Sequence, residues 1–470
     1  MTFKILMFLV FSGSIQSFAQ SETYTLEDCI DIAFENNYDQ QLAKLSYETA
    51  QINFKQNRNT LLPSINGDYN LGVSQGRSID PFTNDFVNEQ LTFSNARLSL
   101  DAVIFNGFRL LNSLKQSKLN RAASEMEVAE AKQNLAIDVT LAFLQVLNAR
   151  DVVLLTETRL ESTNEQLKRL KVLFDEESGN PAEFRDLQGQ ISNDKATLIT
   201  VTNSLKTAEL NLNQLLNTSQ KITAKQLEIL INFEPYKASA EEVYNDALEN
   251  LPTFKARTLR LEAAEKGIAV ARAQYIPQVS VFANVSTNYS SAARLFTETG
   301  SSILETGDFV TVDATNIPVF TNQTNFIAED ISYQDQFENN VNSAFGMAVS
   351  IPIFNGFQVK NTIALEKIKK KEAQVALERT QLEIKQAIEQ SHNTMLAAYE
   401  RYKVLEKQVT AYAESFRINE IRFENGVSNS VEYIISKNNL ENAQVNIANA
   451  KYEYELRVRI LDYYHRSDSF

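Results

Sequence analysis

The chain has 470 residues, with no tryptophan, one cysteine, two histidines and eight prolines. Each shortage excludes something. Cys29 has no partner within the chain, so no internal disulfide holds the fold. His392 and His465 are far apart in sequence, too few and too scattered for a metal centre. There is no CxxC, no HExxH and no glycine-rich phosphate loop. Acids and serines are common but form no convergent constellation, so neither an enzyme nor a cofactor is expected. A formal net charge of −14 argues against binding nucleic-acid phosphates. After the N-terminal twenty residues there is no run of about 20 apolar residues, the length a helical membrane span needs. If the chain enters a membrane, it enters as strands.

What is present begins with "MTFKILMFLVFSGSIQSFAQ". Lys4, the apolar run from Ile5 to Val10 and the small residues Ser17 and Ala19 make residues 1–19 a secretory signal peptide. No cysteine follows the cut, so a lipid-anchored N-terminus is not expected. Cys29 itself reads as a small buried residue on a short helix.

The chain repeats itself. "LEDCIDIAFENN" from Leu26 parallels "AEEVYNDALENL" from Ala240, and Thr25/Asp28 and Ser239/Glu242 give both copies a capping-box start. "LLPSI" at 61–65 lies opposite "YIPQV" at 275–279, an offset of 214. "IFNGF" stands at 104–108 and again at 353–357, an offset of 249. The second copy therefore carries 35 extra residues, inserted between Pro277 and Gly356. The implied organisation is a signal peptide over 1–19 and a first repeat over 20–217. That repeat has strands at about 63–75 and 91–105 and a helical hairpin over 108–217. A connecting segment over 218–238 leads to a second repeat over 239–464, with strands at about 277–289 and 343–354 and a hairpin over 357–464. Residues 465–470 form a C-terminal tail.

The four strands alternate. Ile65, Gly67, Tyr69, Leu71 and Val73 share one face, and Ser64, Asn66, Asp68, Asn70 and Ser74 the other. Leu98, Leu100, Ala102 and Ile104 behave alike, as do Val279 to Val285 and Phe345 to Ile353 taken two by two. An apolar face backed by small or polar residues fits transmembrane barrel strands, and equally a half-buried strand of a soluble sheet. Residues 75–90 and 290–342, rich in Ser, Thr, Asn and acids, read as polar loops between the paired strands.

Between Gly107 and Gly179, and again between Gly356 and Gly426, there is neither glycine nor proline. A continuous helix of about 70 residues reaches roughly 100 Å at 1.5 Å per residue. Return helices begin at Asn180-Pro181 and at Asn429. The first return helix carries a heptad seam: Phe184, Leu187, Ile191, Asp194, Leu198, Val201, Leu205, Ala208, Leu212 and Leu215. Adding 249 gives a second seam from Tyr433 to Tyr464, and Asp194, Ser436 and Arg457 interrupt two otherwise mostly apolar sets. Such sustained register predicts coiled-coil pairing. "IFNGF" sits where strand turns to helix, with Gly107 and Gly356 supplying the turn. Phe105, Phe108, Phe354 and Phe357 suit the aromatic belt at a membrane interface.

Four strands cannot close a barrel and an open edge is not tolerated in hydrocarbon, so protomers must share one. Two copies give eight strands, an interior filled by side chains; three give twelve and leave room for a channel. The chain resembles the TolC-like outer membrane efflux family over nearly all of its length after the signal peptide. The resemblance rests on the duplicated element order, the "LP" entering a strand, "IFNGF" and "FENGVSNSVEYIISKNNLENAQ". It implies a mixed α/β membrane channel-tunnel. The protomer would supply four transmembrane β-strands and long coiled-coil helices. A homotrimer would close a 12-strand β-barrel in outer-membrane lipid, continued by a helical α-barrel in the periplasm. It also implies a passive exit channel for a periplasmic adaptor and an inner-membrane efflux pump or ABC exporter. By the same resemblance Gly179, Asn180, Gly426, Val427 and Ser428 form the tip where the adaptor docks, although "EESGNPAEF" departs from the motif. Glu420 and Glu424, one turn apart near the tip, are the candidate gate acids. A secreted coiled-coil scaffold without a pore and a stand-alone diffusion porin are the competing readings.

Overall fold

The computed structural model describes residues 23–79, 86–176, 179–219, 221–229 and 233–465. The signal peptide, the tip of the first loop and the residues after His465 lie outside this set. In chain order the elements are α1 (Leu26–Asn36), α2 (Tyr38–Asn59), β1 (Ser64–Ile79), β2 (Phe86–Phe105), α3 (Arg109–Asp175) and α4 (Pro181–Leu216). Then follow α5 (Ala240–Asn250), α6 (Pro252–Ala273), β3 (Gln278–Ser290), β4 (Arg294–Val312), β5 (Thr315–Asp330), α7 (Tyr333–Asn339), β6 (Asn342–Ser350), α8 (Gln358–Glu424) and α9 (Ser430–His465). The duplication is visible in lengths. α1 and α5 have 11 residues each, α2 and α6 22, α3 and α8 67, and α4 and α9 36. The chain divides into a helical unit (up to Gln51, Leu119–Glu262 and from Lys371) and a sheet unit (Ile52–Lys118 and Ala263–Lys370).

In the helical unit both short helices start from capping boxes. Thr25 N donates to Asp28 Oδ2 at 2.8 Å while Asp28 N donates to Thr25 Oγ1 at 3.2 Å. Ser239 and Glu242 repeat both distances. α4 ends at Asn217, whose φ of 46° is left-handed and whose side chain donates to the Asn36 carbonyl at 2.9 Å. One core joins α1 to the middle of α3 and the end of α4 through Leu26, Ile30, Val139, Phe143, Leu147 and Leu212. Contrary to the expectation from sequence, α3 is long and apolar enough by composition to cross a membrane; its Leu135, Val139, Phe143 and Leu147 are instead buried in this protein core. A second core gathers Val243, Phe254, Ile388, Met395, Tyr454 and Leu461 from the second repeat. Cys29 is fully buried, and desolvation, then the charges of Asp28 and Glu27, push its thiol up to about 12. It is a packing residue.

In the sheet unit four antiparallel strands lie in the order β1-β2-β3-β6. The register sets Gly67 opposite Leu98 and Leu98 opposite Val285; Leu100 pairs with Ala283, and Ala283 with Phe345. Paired residues share a face, so the four alternating apolar sets fall on one side. The other side carries Asn66, Ser99, Asn284 and Ala344. It also holds Phe282, whose ring lies over Gly346; a Cβ there would meet Phe282 Cζ at 2.8 Å. β6 stops at Ser350, two residues before Pro352, which has no N–H for the ladder. In the first copy that place is Val103 and β2 runs on to Phe105.

The two polar loops are corrected by the structure. β1 and β2 stay paired out to Ile79 and Phe86, with the Arg77 guanidinium 4.8 Å from the Phe86 ring. Residues 294–330 form a long hairpin, β4–β5, followed by the short helix α7. Threonines and β-branched residues suit extended backbone even in a polar sequence. The turn between the strands is Asp313-Ala314, both at positive φ (46° and 63°), the conformation of a two-residue type I′ hairpin. Glycine usually marks such a turn, and none stands there. α7 fastens the base of the hairpin to β3. The Gln336 side chain accepts from Ser290 N and donates to Ser290 O, both at 3.0 Å.

Candidate functional site

The hairpin ends of α3–α4 and α8–α9 belong to the helical unit, and each of the two turns has its own geometry. At the second, Gly426 has φ +70°. Its N–H donates to the Phe423 carbonyl at 3.1 Å and the Val427 N–H donates to the Arg422 carbonyl at 2.8 Å. These two bonds are a Schellman cap, which needs a left-handed residue at the glycine. Asn429 Oδ1 then accepts from Glu432 N at 2.9 Å and starts α9. At the first turn Gly179 N–H donates to the Leu173 carbonyl at 2.8 Å, six residues back, and φ is not left-handed. Asn180 Oδ1 caps α4 through Ala182 N at 3.0 Å, with Pro181 at the first helical position. The departure of "EESGNPAEF" from the motif is thus a different turn.

Beneath the turns a small core packs Leu170, Phe184, Leu187, Phe423 and Tyr433 from four helices. Phe174 stacks on Phe184 at 4.8 Å, and Phe423 on Tyr433 at 5.0 Å. The hairpins are also tied by polar contacts. Ser430 Oγ donates to Asp186 Oδ2 at 2.8 Å, and Arg169 pairs with Glu424 Oε1 at 2.6 Å. Gln166 Nε2 lies 3.4 Å from Glu424 Oε1. Glu420 is half-buried, and burial, then the charge of Glu424, push its carboxyl above the ordinary range. Of the two candidate gate acids, Glu424 pairs with Arg169 of α3, while Glu420 is partly desolvated and hydrogen-bonds with the Gln166 side chain, also of α3. Val427 in the turn, and Val431 and Ile435 on one side of α9, follow at spacings of four residues and are 67%, 53% and 54% exposed. The latter two escaped the sequence reading, which followed the seam; the spacing of four was the available signal.

About two to four turns of helix behind the caps sits a charged cluster, of which the heptad pattern marks only Asp194, as an exception in an apolar seam. Arg159 of α3 donates from Nε to Asp194 Oδ1 at 2.7 Å. Thr163 Oγ1 and Gln190 Nε2 also donate to Asp194, at 2.7 and 2.6 Å. Lys437 of α9 is 3% exposed; it donates to the Arg159 carbonyl at 2.8 Å and to the Thr163 hydroxyl. Glu441, one turn further, is 2.9 Å from Arg159 Nε and 3.6 Å from Lys437 Nζ. Two cations thus face two carboxylates, and the hydrogen bonds are shared unequally. Arg159 Nε has one hydrogen, given to Asp194, and Glu441 Oε2 is left buried with no donor. Burial accordingly pushes Glu441 up to about 7 against the pull of Lys437 and Arg159. Burial also lowers Lys437.

At the strand-to-helix junctions Gly107 and Phe108 have φ of 65° and 62°, and Gly356 and Phe357 of 60° and 61°. Phe105 meets Phe108 edge-on at 5.5 Å, and Phe354 meets Phe357 at 5.6 Å. A Cβ on Gly107 would lie 2.6 Å from Ile276, so the first junction needs glycine for space as well as for φ.

The model of the family described as outer membrane efflux protein matches residues 29–218 and 243–462, one segment per repeat. The outer membrane efflux protein BepC of Brucella suis is 22% identical over 317 residues, 67% of this chain and 64% of that protein. The outer membrane protein TolC of Escherichia coli is 23% identical over 330 residues, 69% of this chain and 59% of that protein. These matches span less than two thirds of either relative's length. The Campylobacter jejuni CmeC outer membrane channel superposes with a TM-score of 0.74, covering 94% of this chain and 85% of that one at 16% identity. With the family model matched over most of its length, the chain belongs to the outer membrane efflux protein family and is a protein of the outer membrane.

Proposed function

We propose that the protein is the passive exit duct of a tripartite efflux or type I secretion assembly. Three copies join their sheets into one barrel, and the helical hairpins receive a periplasmic adaptor that connects to an inner-membrane pump or ABC exporter. The observation that carries this reading is the sheet β1-β2-β3-β6, which has two free edges and one apolar face. On that face Leu71, Phe345 and Met347 stand exposed. Backbone groups at a free edge are not tolerated in hydrocarbon. Twelve strands from three copies remove every edge and enclose a channel.

The hairpin ends support the adaptor. The Val427, Val431 and Ile435 ridge offers an amphipathic helix an apolar seat, a common mode of helix recognition. Gly426 and Ser428 flank Val427 in sequence, and Gly179 and Asn180 are assigned the same role at the turn of the other hairpin. Glu420 and Glu424 at the last turn of α8 are assigned to the gate, because opening would have to break the Arg169–Glu424 pair. Energy for export comes from the pump. The test is the mass of the detergent-solubilised mature protein together with its conductance in planar bilayers. A trimer with discrete conductance steps is expected; a monomer without conductance refutes the reading. For the adaptor, a photo-crosslinker at residue 431 should capture a periplasmic protein in cells, and a Val431→Asp variant should reduce export.

A further inference from the structure

β4 and β5, with 19 and 16 residues, pair only with each other among the described strands. All of their residues are exposed except Val319. A two-stranded ribbon is marginally stable at best in water, and exposed apolar surface on this scale marks a contact. The cross-strand register sorts its side chains into two unlike faces. On one lie Leu304, Val310, Val312, Ile317 and Ile327 among threonine, serine and amide side chains, with Glu329 at the base as the one charge at a paired position; Asp308 falls in a bulge and Asp313 in the turn, outside the register. On the other lie Phe296, Ile303, Phe320 and Phe326, interleaved with Glu298, Glu305 and the Arg294–Asp330 pair.

Charge decides what can cover the first face. Residues 294–330 hold one arginine against six acids, a net charge of −5. An anionic lipid surface would be repelled by such a hairpin. The aromatic face would repel its own copies, since it brings Glu298 and Glu305 together. Along the paired length of the aliphatic face the only charge is Glu329, at the base and away from Leu304, Val310 and Ile317. On the trimeric reading above, symmetry brings three equivalent hairpins to one end of the barrel. We infer that the aliphatic faces of the three β4–β5 hairpins pack against one another about the symmetry axis, so that the partner of this insertion is a second and third copy of itself.

The test uses the full-length protein in outer-membrane vesicles and two neighbouring positions on opposite faces. Leu304→Cys places a thiol on the aliphatic face, Glu305→Cys on the acidic one. Cys29 is buried, so the native chain supplies the blank. On mild oxidation Leu304→Cys should give a disulfide-linked dimer, because two of three thiols at an axis can pair, while Glu305→Cys should stay at least several-fold less linked. Adding Ile317→Glu on the same face should cut the Leu304→Cys product several-fold. If the trimer mass persists but Leu304→Cys does not link, or Glu305→Cys links equally, the inference is wrong and the assembly stands. Linkage of Leu304→Cys to an unrelated protein overturns it in favour of an external partner. A monomeric protein overturns both.

Discussion

At the residue scale the charged cluster is the place where chemistry and packing meet. A heptad reading marks Asp194 as an intruder but says nothing of Arg159, Lys437 and Glu441. Those three sit beside the seam, where a charged residue usually faces water. Their burial comes from a third helix closing over them, a tertiary fact with no local signature. The cluster predicts a pH dependence. An ordinary glutamate titrates near 4.3, and Glu441 is raised to about 7. Facing it are Arg159, Lys437 and Asp194, with Tyr433 nearby. Between those two pH values the folded protein holds a proton that the unfolded chain has lost. Its contribution to stability is therefore full below about 4.3 and is lost as pH rises through about 7. Glu441→Gln should flatten that slope, by about 1–3 kcal/mol between pH 5 and 8, read from denaturation midpoints at each pH. Equal slopes in both proteins would remove the assignment. Gly426 carries a second prediction. A Cβ there has open space, so only the left-handed backbone opposes a side chain. Gly426→Val should cost about 1–2 kcal/mol of hairpin stability and weaken adaptor capture. A cost-free substitution would mean the Schellman cap is dispensable.

At the scale of elements, the long helices were the most legible part. Absence of glycine and proline, capped restarts and a seam in register point to one answer, and the 67- and 36-residue helices recur in both copies. The β4–β5 hairpin was the least legible. Its turn uses Asp313-Ala314 instead of the glycine that signals a hairpin, and bulges near Gly300 and Gly307 break the alternation that marks a strand. The first junction and the second differ by one residue with a visible effect, Pro352 where the earlier copy has Val103. Seam packing makes a quantitative prediction. Leu187 is fully buried in the core beneath the tips, whereas Ile199 on the same helix is 72% exposed. Leu187→Asp leaves an unpaired charge among Leu170, Phe184 and Tyr433 and should cost more than about 3 kcal/mol. Ile199→Asp should stay within about 0.5 kcal/mol in the isolated helical hairpin contacts. If melting temperatures fall equally, the two helix faces are not distinguished in the way the seam requires.

At the scale of the whole molecule, the proposed assembly rests on the open sheet β1-β2-β3-β6. Alternation along each strand was legible in sequence, and the register then places Leu98, Leu100, Val285 and Phe345 on a common face. What alternation could not tell is whether lipid or protein covers that face, because both select apolar residues at every second position. Neighbouring positions on β2 separate the two. Leu98 lies on the apolar face, and Ser99 on the face with Asn66 and Asn284. If lipid meets the first and channel water the second, Leu98→Arg should cost about 2–4 kcal/mol of folding free energy near the bilayer centre. Ser99→Arg should leave folding nearly unchanged, since a charged side chain in a water-filled lumen keeps its hydration. Urea titration of folding into lipid vesicles measures the first effect. Cation-to-anion selectivity in planar bilayers should shift toward anions in the second. A soluble sheet buried against protein would reverse neither face in this manner: Leu98→Arg would unfold the chain in detergent-free buffer, and Ser99→Arg would leave no conductance to change.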